Sequence, residues 1–244
     1  MQRPVKLRVG PMGIYLLFGA KNVQMIFKHS KILSKDAISQ IILQANGMGK
    51  ADRAVLDADT SGVGKVPLNN TPEEKRVWKK THDLGNTHLA NGHSVSILTT
   101  KFIDEFVKQL DKQPLGRPTM TLLYDFVKNV MLIGSLTSLA GPQIMKLNPD
   151  FIQTYWDHEN VFLLMAIGLP RFLYWKGHLA RDRMLAATTK WIKEAWMNFD
   201  EKDSDADWEE NFGSSFLRGQ AFALGEAGIS HEGQASAMMP MIWA

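Results

Sequence analysis

From Thr71 onward the apolar residues return every three or four positions, a spacing that closes one face of an α-helix and rules out strand alternation over long stretches. Thr71, Pro72 and Glu74 read as a capping box with proline in the first turn, so a helix is expected to start there. Leu98, Phe102, Phe106 and Leu110, thickened by Ile103 and Val107, predict a second helix ended by Pro114 and Gly116. Leu122 to Leu139 is apolar on most sides and predicts a buried helix. Asn148, Pro149 and Asp150 cap another that runs to the Gly168 to Pro170 break, and Ala180, Met184, Ala187 and Trp191 carry the period on. An acidic connection from Asp200 to Glu210 precedes the final helices.

The β signal is confined to the start. Val5, Leu7 and Val9 alternate with Lys6 and Arg8, Gly10 and Pro11 turn, and Ile14 to Phe18 runs apolar, which predicts a hairpin. Val23, Ile26 and Phe27 then predict a short helix. Asn46 to Asn70, rich in glycine, asparagine, aspartate and proline, reads as one long loop. The expected fold class is mainly α: one domain over 1–244, with a small amino-terminal β-hairpin and short helix (1–30), a long loop (46–70) and an all-helical body (71–244).

Ala235, Met238, Met239, Ile242 and Trp243 fall on one helical face, and the chain stops at Ala244 with no glycine cap, basic last turn or following proline. The segment reads as a helix cut short. Each large side chain on that stripe is worth about 1.5 to 3 kcal/mol when buried, against a domain stability of about 5 to 15 kcal/mol, so the stripe needs a partner surface.

Cysteine is absent, which excludes disulfides, zinc-thiolate sites, iron–sulfur clusters and cysteine nucleophiles within the chain. A net charge of +3 is too weak to argue for nucleic acid. The first nine residues lack the apolar core of a secretory signal, and the longest apolar run, Val161 to Leu169, is about half the roughly 20 residues that cross a bilayer.

Several motifs open correctly and then fail. Asp57, Asp59, Ser61 and Gly62 match the start of a calcium loop, but Lys65 and Leu68 stand where its later ligands belong, and a solvated acidic turn explains the residues equally well. Gly62, Gly64 and Lys65 suggest a phosphate loop, with Asp59 and Val66 in the wrong places. Gly47 and Gly49 lack the third glycine of a dinucleotide fingerprint. His82, His88 and His93 are spaced onto different helix faces rather than onto one ion. Trp78 and His82 share a face, and Lys75, Arg76, Lys79 and Lys80 crowd the same turns, a cluster that suits either an anion or solvent.

Taken in order, Val5 to Phe18, Val23 to Lys28, the Val77 to His82 run, Asn148-Pro149-Asp150, Gly168-Leu169-Pro170-Arg171 and Ala180-Arg181-Asp182-Arg183 resemble the amino-terminal half of a cytochrome P-450, a haem-thiolate monooxygenase. The last three are similar to the paired roof helices of fungal members near the sterol 7α-hydroxylase and prostacyclin-synthase branch, and Met238 to Ala244 resembles the start of the family's long central helix. The resemblance implies haem as cofactor, a hydrophobic small-molecule substrate, a reductase as redox partner, and an intracellular protein whose parents are usually anchored in the endoplasmic-reticulum membrane. It carries the family's Trp-x-x-x-Arg pair, which binds a haem propionate, onto Trp78 and His82. It maps Asn46 to Asn70 to a substrate-recognition loop and Leu164 to Phe172 to the substrate roof. The family's cysteine ligand and Glu-x-x-Arg helix belong to a carboxyl-terminal half that would follow Ala244, so the chain alone is expected to be truncated and inactive. An alternative reading is a non-enzymatic helical protein that binds a partner through Met238, Met239, Ile242 and Trp243.

Overall fold

The computed structural model describes residues 3–9, 12–29, 36–113, 116, 122–202 and 207–242. β1 (Val5–Val9) pairs antiparallel with β2 (Met12–Leu16), Val5 facing Leu16 and Leu7 facing Ile14. This is the expected hairpin, although Gly10 and Pro11 at its turn lie outside the described residues. α1 (Ala20–Lys28) follows, anchored at its start where Asn22 Nδ2 donates to the Phe18 carbonyl at 2.7 Å.

The body is helical. α2 (Asp36–Ala45), α3 (Lys50–Ala58), α4 (Val77–Leu89), α5 (Gly92–Asp111), α6 (Leu123–Ala140), α7 (Gln143–Leu147), α8 (Phe151–Ala166), α9 (Trp175–Asn198), α10 (Ser215–Glu226) and α11 (His231–Met238) follow in order. Two short strands, β3 (Trp208–Glu209) and β4 (Gly213–Ser214), interrupt the expected all-helical run. They sit where backbones meet too closely for side chains: Gly141 ends α6 at φ +74°, and a Cβ on it or on Gly213 would strike the other segment's backbone.

The main core is built from α6 to α11. Leu136, Ile144, Phe151, Met184, Trp191 and Leu217 are fully buried there, and the Trp191 indole satisfies its one donor on the Asn211 carbonyl at 2.7 Å. A smaller cluster of Leu43, Met48, Leu56, Val77, Leu224 and Ile229 ties α2, α3 and α4 to α10 and the start of α11.

Three further sequence expectations change. Residues 46–70 are not one loop, because nine of them form α3; its single buried apolar side chain, Leu56, is too sparse a signal for periodicity to register. No capping box forms at Thr71, whose backbone N–H is taken by Asn69 Oδ1. Glu73 to Lys75 make a 3₁₀ turn, and the α-helix proper starts at Val77. The carboxyl-terminal stripe is neither a continuing helix nor an open face. Pro240 has no N–H to bond back into the helix, so α11 stops at Met238 and passes into a 3₁₀ turn over Met239–Met241. Met238, Met239 and Ile242 are 0% exposed, covered by the chain's own core. That burial removes them as a docking face; Trp243 and Ala244 lie outside the described residues.

Candidate functional site

The first two turns of α4 are positioned by a loop folded around a cation. Arg76 is fully buried. Its guanidinium donates to the carbonyls of Gly62, Gly64 and Lys65, to Ser61 Oγ at 3.2 Å and to Glu73 Oε2 at 2.9 Å. A phosphate loop turns its N–H groups inward; this one turns its carbonyls inward, onto arginine. Asp59, which sequence reasoning weighed for calcium, spends one carboxylate oxygen on the Ser61 N–H and hydroxyl and the other on the Trp78 N–H at 2.9 Å. It is thus the N-terminal cap of α4, supplied from outside the helix.

Lys79 and Lys80 are separately occupied. Lys79 sits 2.9 Å from Glu73 and 2.7 Å from Asp83, whose hydrogen bonds, Asp83 first, raise its pKa, and Lys80 reaches Glu226 at 3.1 Å. Arg76, Lys79 and Lys80 are therefore paired side chains rather than an anion cradle.

Trp78 is half-buried and its indole N–H donates to the Leu56 carbonyl at 3.0 Å. One turn on, His82 is exposed at the mouth of a cavity of about 330 Å³. Trp78, Leu43, Leu56, Phe216, Leu224 and Met241 supply most of its apolar wall. Gln220 closes it on the α10 side, its Nε2 donating to the Thr81 carbonyl at 2.8 Å. The pair singled out from sequence thus shares one cavity. Its far wall, from α10 and the Met239–Met241 turn, had no local signal.

The other candidates separate. His88 Nδ1 lies 3.0 Å from Ser215 Oγ, and His93 pairs with Asp207 at 3.3 Å, so neither joins His82. Burial, with Arg218 assisting against Asp207, lowers the His88 pKa. A serine within reach of a histidine suggests acyl transfer, but the adjoining space is about 10 Å³, enough for one water and not for a substrate. Among the described residues no three histidine, aspartate or glutamate side chains converge as metal ligands.

Among the described residues this lining offers a haem one candidate contact at its edge and no ligand for its iron. His82 can donate to a carboxylate at an apolar wall. The Trp78 indole is already engaged, the described lining holds no second ionisable side chain, and Gln220 Oε1, buried in the wall without a donor among the described residues, is an acceptor that suits no carboxylate. No thiol exists in the chain to hold the iron.

Comparison with curated proteins finds the chain similar to cytochrome P-450 monooxygenases. It is 29% identical over 245 residues to cytochrome P-450 monooxygenase calL of Penicillium decumbens, covering 98% of this chain and 46% of that protein. Over 125 residues it is 30% identical to cytochrome P-450 monooxygenase efuG of Hormonema carpetanum and to fsoE of Humicola fuscoatra, covering 50% of this chain and 22% of each relative. The chain therefore spans about half, or less, of the length of these relatives. No family model matches the sequence, and no solved structure matches it. The chain resembles a fungal cytochrome P-450, and its mainly helical body behind an amino-terminal hairpin agrees with the amino-terminal half of that fold.

Proposed function

We propose that residues 1–244 form the amino-terminal part of a cytochrome P-450-type monooxygenase that oxidises a hydrophobic small molecule, sterol-like, lipid or secondary metabolite, with electrons from a reductase. The observation that carries this reading is the likeness to cytochrome P-450 monooxygenase calL along 98% of the chain. In such an enzyme haem supplies oxygen activation. The contribution assigned to this chain is narrower: His82 donates to a haem propionate, Trp78 packs beside it, and the apolar wall keeps water from that edge. Histidine in place of the family's arginine makes the contact weaker, since it lacks the permanent charge and fork of a guanidinium. Because the chain holds no cysteine, it is proposed to be inactive alone.

Transcript sequencing on both sides of the region encoding residues 1–244, followed by expression of the longest reading frame, tests the proposal. The expected product carries a glycine-flanked cysteine and gives, with haem, reductant and carbon monoxide, the difference band of thiolate-bound iron. A product without that band would overturn it.

A further inference from the structure

The cavity between α4 and α10 holds a buried acceptor that a haem propionate has no proton to meet. Gln220 is 1% exposed. Its Nε2 donates to the Thr81 carbonyl at 2.8 Å, and because that carbonyl can only accept, the bond fixes which end of the amide is nitrogen. Oε1 is the end left over, and among the described residues no donor reaches it. A buried amide oxygen without a partner is costly, so this one is a ready receptor for an O–H.

The rest of the lining selects the molecule around that group. Leu43, Leu56, Phe216 and Leu224 make it largely apolar. On α4 the Trp78 indole is spent on the Leu56 carbonyl and the Thr81 hydroxyl on the Trp78 carbonyl. Among the described residues His82, at the mouth, is the lining's one ionisable side chain, so an acid or an amine carried past it meets no counter-charge. Gly85, one turn after Thr81, leaves room: a Cβ placed there has nothing among the described residues within 4 Å. At about 330 Å³ the cavity suits a small ligand.

We propose that this cavity binds a neutral aliphatic alcohol, its hydroxyl donating to Gln220 Oε1 and its hydrocarbon lying against the leucines and Phe216. An ether or ketone of the same size would set acceptor against acceptor, and a carboxylate would add charge to that repulsion. The site needs no iron, so it stands or falls separately from the enzymatic reading.

Titration calorimetry of the 244-residue chain with 1-octanol, heptyl methyl ether and octanoate tests it. The ether is an isomer of octanol that lacks only the O–H donor. Octanol is expected to bind saturably at a single site and about tenfold more tightly than the ether, the worth of one hydrogen bond to a buried partner. Octanoate is expected to bind more weakly than octanol. Gln220→Met, which keeps the side chain's length and removes the acceptor, is expected to hold octanol and ether equally. Gly85→Phe fills the cavity from an open position and replaces a glycine inside a helix, so it is expected to abolish octanol binding with a thermal midpoint at or above the parent's. If Gln220→Met does not fold, Gly85→Phe and the octanol–ether comparison on the parent decide. No saturable octanol binding, equal affinity for octanol and its ether or for octanol and octanoate, a preference that survives Gln220→Met, or undiminished binding to Gly85→Phe would each overturn the proposal. Octanol binding here with no thiolate band from the longer product would retire the enzymatic reading and keep this one; a band without octanol binding would do the reverse.

Discussion

The carboxylate of Asp59 accepts the backbone N–H of Trp78, 19 residues further along the chain, at 2.9 Å. A helix whose first orphan donors are met from a neighbouring loop is only as firm as that loop. The orientation of Trp78, and of His82 one turn later, thus depends on the fold of residues 59–65.

Asp59→Ala is expected to lower stability by about 1 to 2 kcal/mol, the usual cost of removing a helix cap. Asp59→Asn, which keeps an acceptor, should recover part of the loss. Urea denaturation followed by tryptophan fluorescence reads both; an alanine variant as stable as the parent would mean that the cap contributes nothing.

Gly213→Ala places a Cβ against the backbone of residues 139–141 and forces alanine to φ +74°. Left-handed backbone alone costs about 1 to 2 kcal/mol, and the collision adds to it. Gly228→Ala has a similar φ of +82° with nothing among the described residues within 4 Å of the new Cβ, so it is the control that carries the backbone cost only. The difference between their thermal unfolding midpoints isolates the close approach, and equal midpoints would refute it.

His158 is fully buried in α8, and burial, assisted by Arg181, pushes its pKa from 6.5 to about 4. Between those values the unfolded chain binds a proton that the folded chain refuses, so stability rises with pH. The contribution is complete above about pH 6.5 and is lost as pH falls toward 4, by up to about 3 kcal/mol. His158→Leu is expected to flatten that part of the stability profile. A profile unchanged in slope would show that the imidazole titrates normally in the fold.

If His82 faces a haem propionate, His82→Arg should strengthen haem binding, because guanidinium is charged at every working pH and holds a carboxylate in a fixed fork. About fivefold to tenfold in the dissociation constant is expected, with His82→Ala shifting it the other way, read by absorbance titration of the expressed product. Identical affinities for the three proteins would remove residue 82 from the site.

Legibility in the sequence followed the range of the forces involved. The hairpin, α5, α6, α8 and α9 were readable because alternation or helical period runs through each of them. The start of α4 was displaced because its cap comes from Asp59, and α3 was missed because only Leu56 among its nine residues is a buried apolar side chain. The stripe from Ala235 to Ile242 kept helical spacing straight through Pro240, which periodicity does not see and the backbone does. Trp78 and His82 were legible as a pair four residues apart. Arg76 beside them, in a run of cations, read as a surface charge and is instead buried as the hub of a ring of carbonyls. Phe216, Gln220 and Met241 complete the cavity from the far end of the chain, where no local pattern could announce them.

That last arrangement has a consequence for assembly. Ser236 Oγ bonds the Leu43 carbonyl across 193 residues, and Ser230 bonds Asp52 across 178. Two segments nearly 200 residues apart are therefore the opposite jaws of a single clamp, and bringing them together carries the entropy of closing a very long loop. Anything that fills the space between the jaws is a latch: by favouring the closed form it would protect both segments at once, so resistance of residues 43–52 and 230–236 to proteolysis would report on occupancy between them.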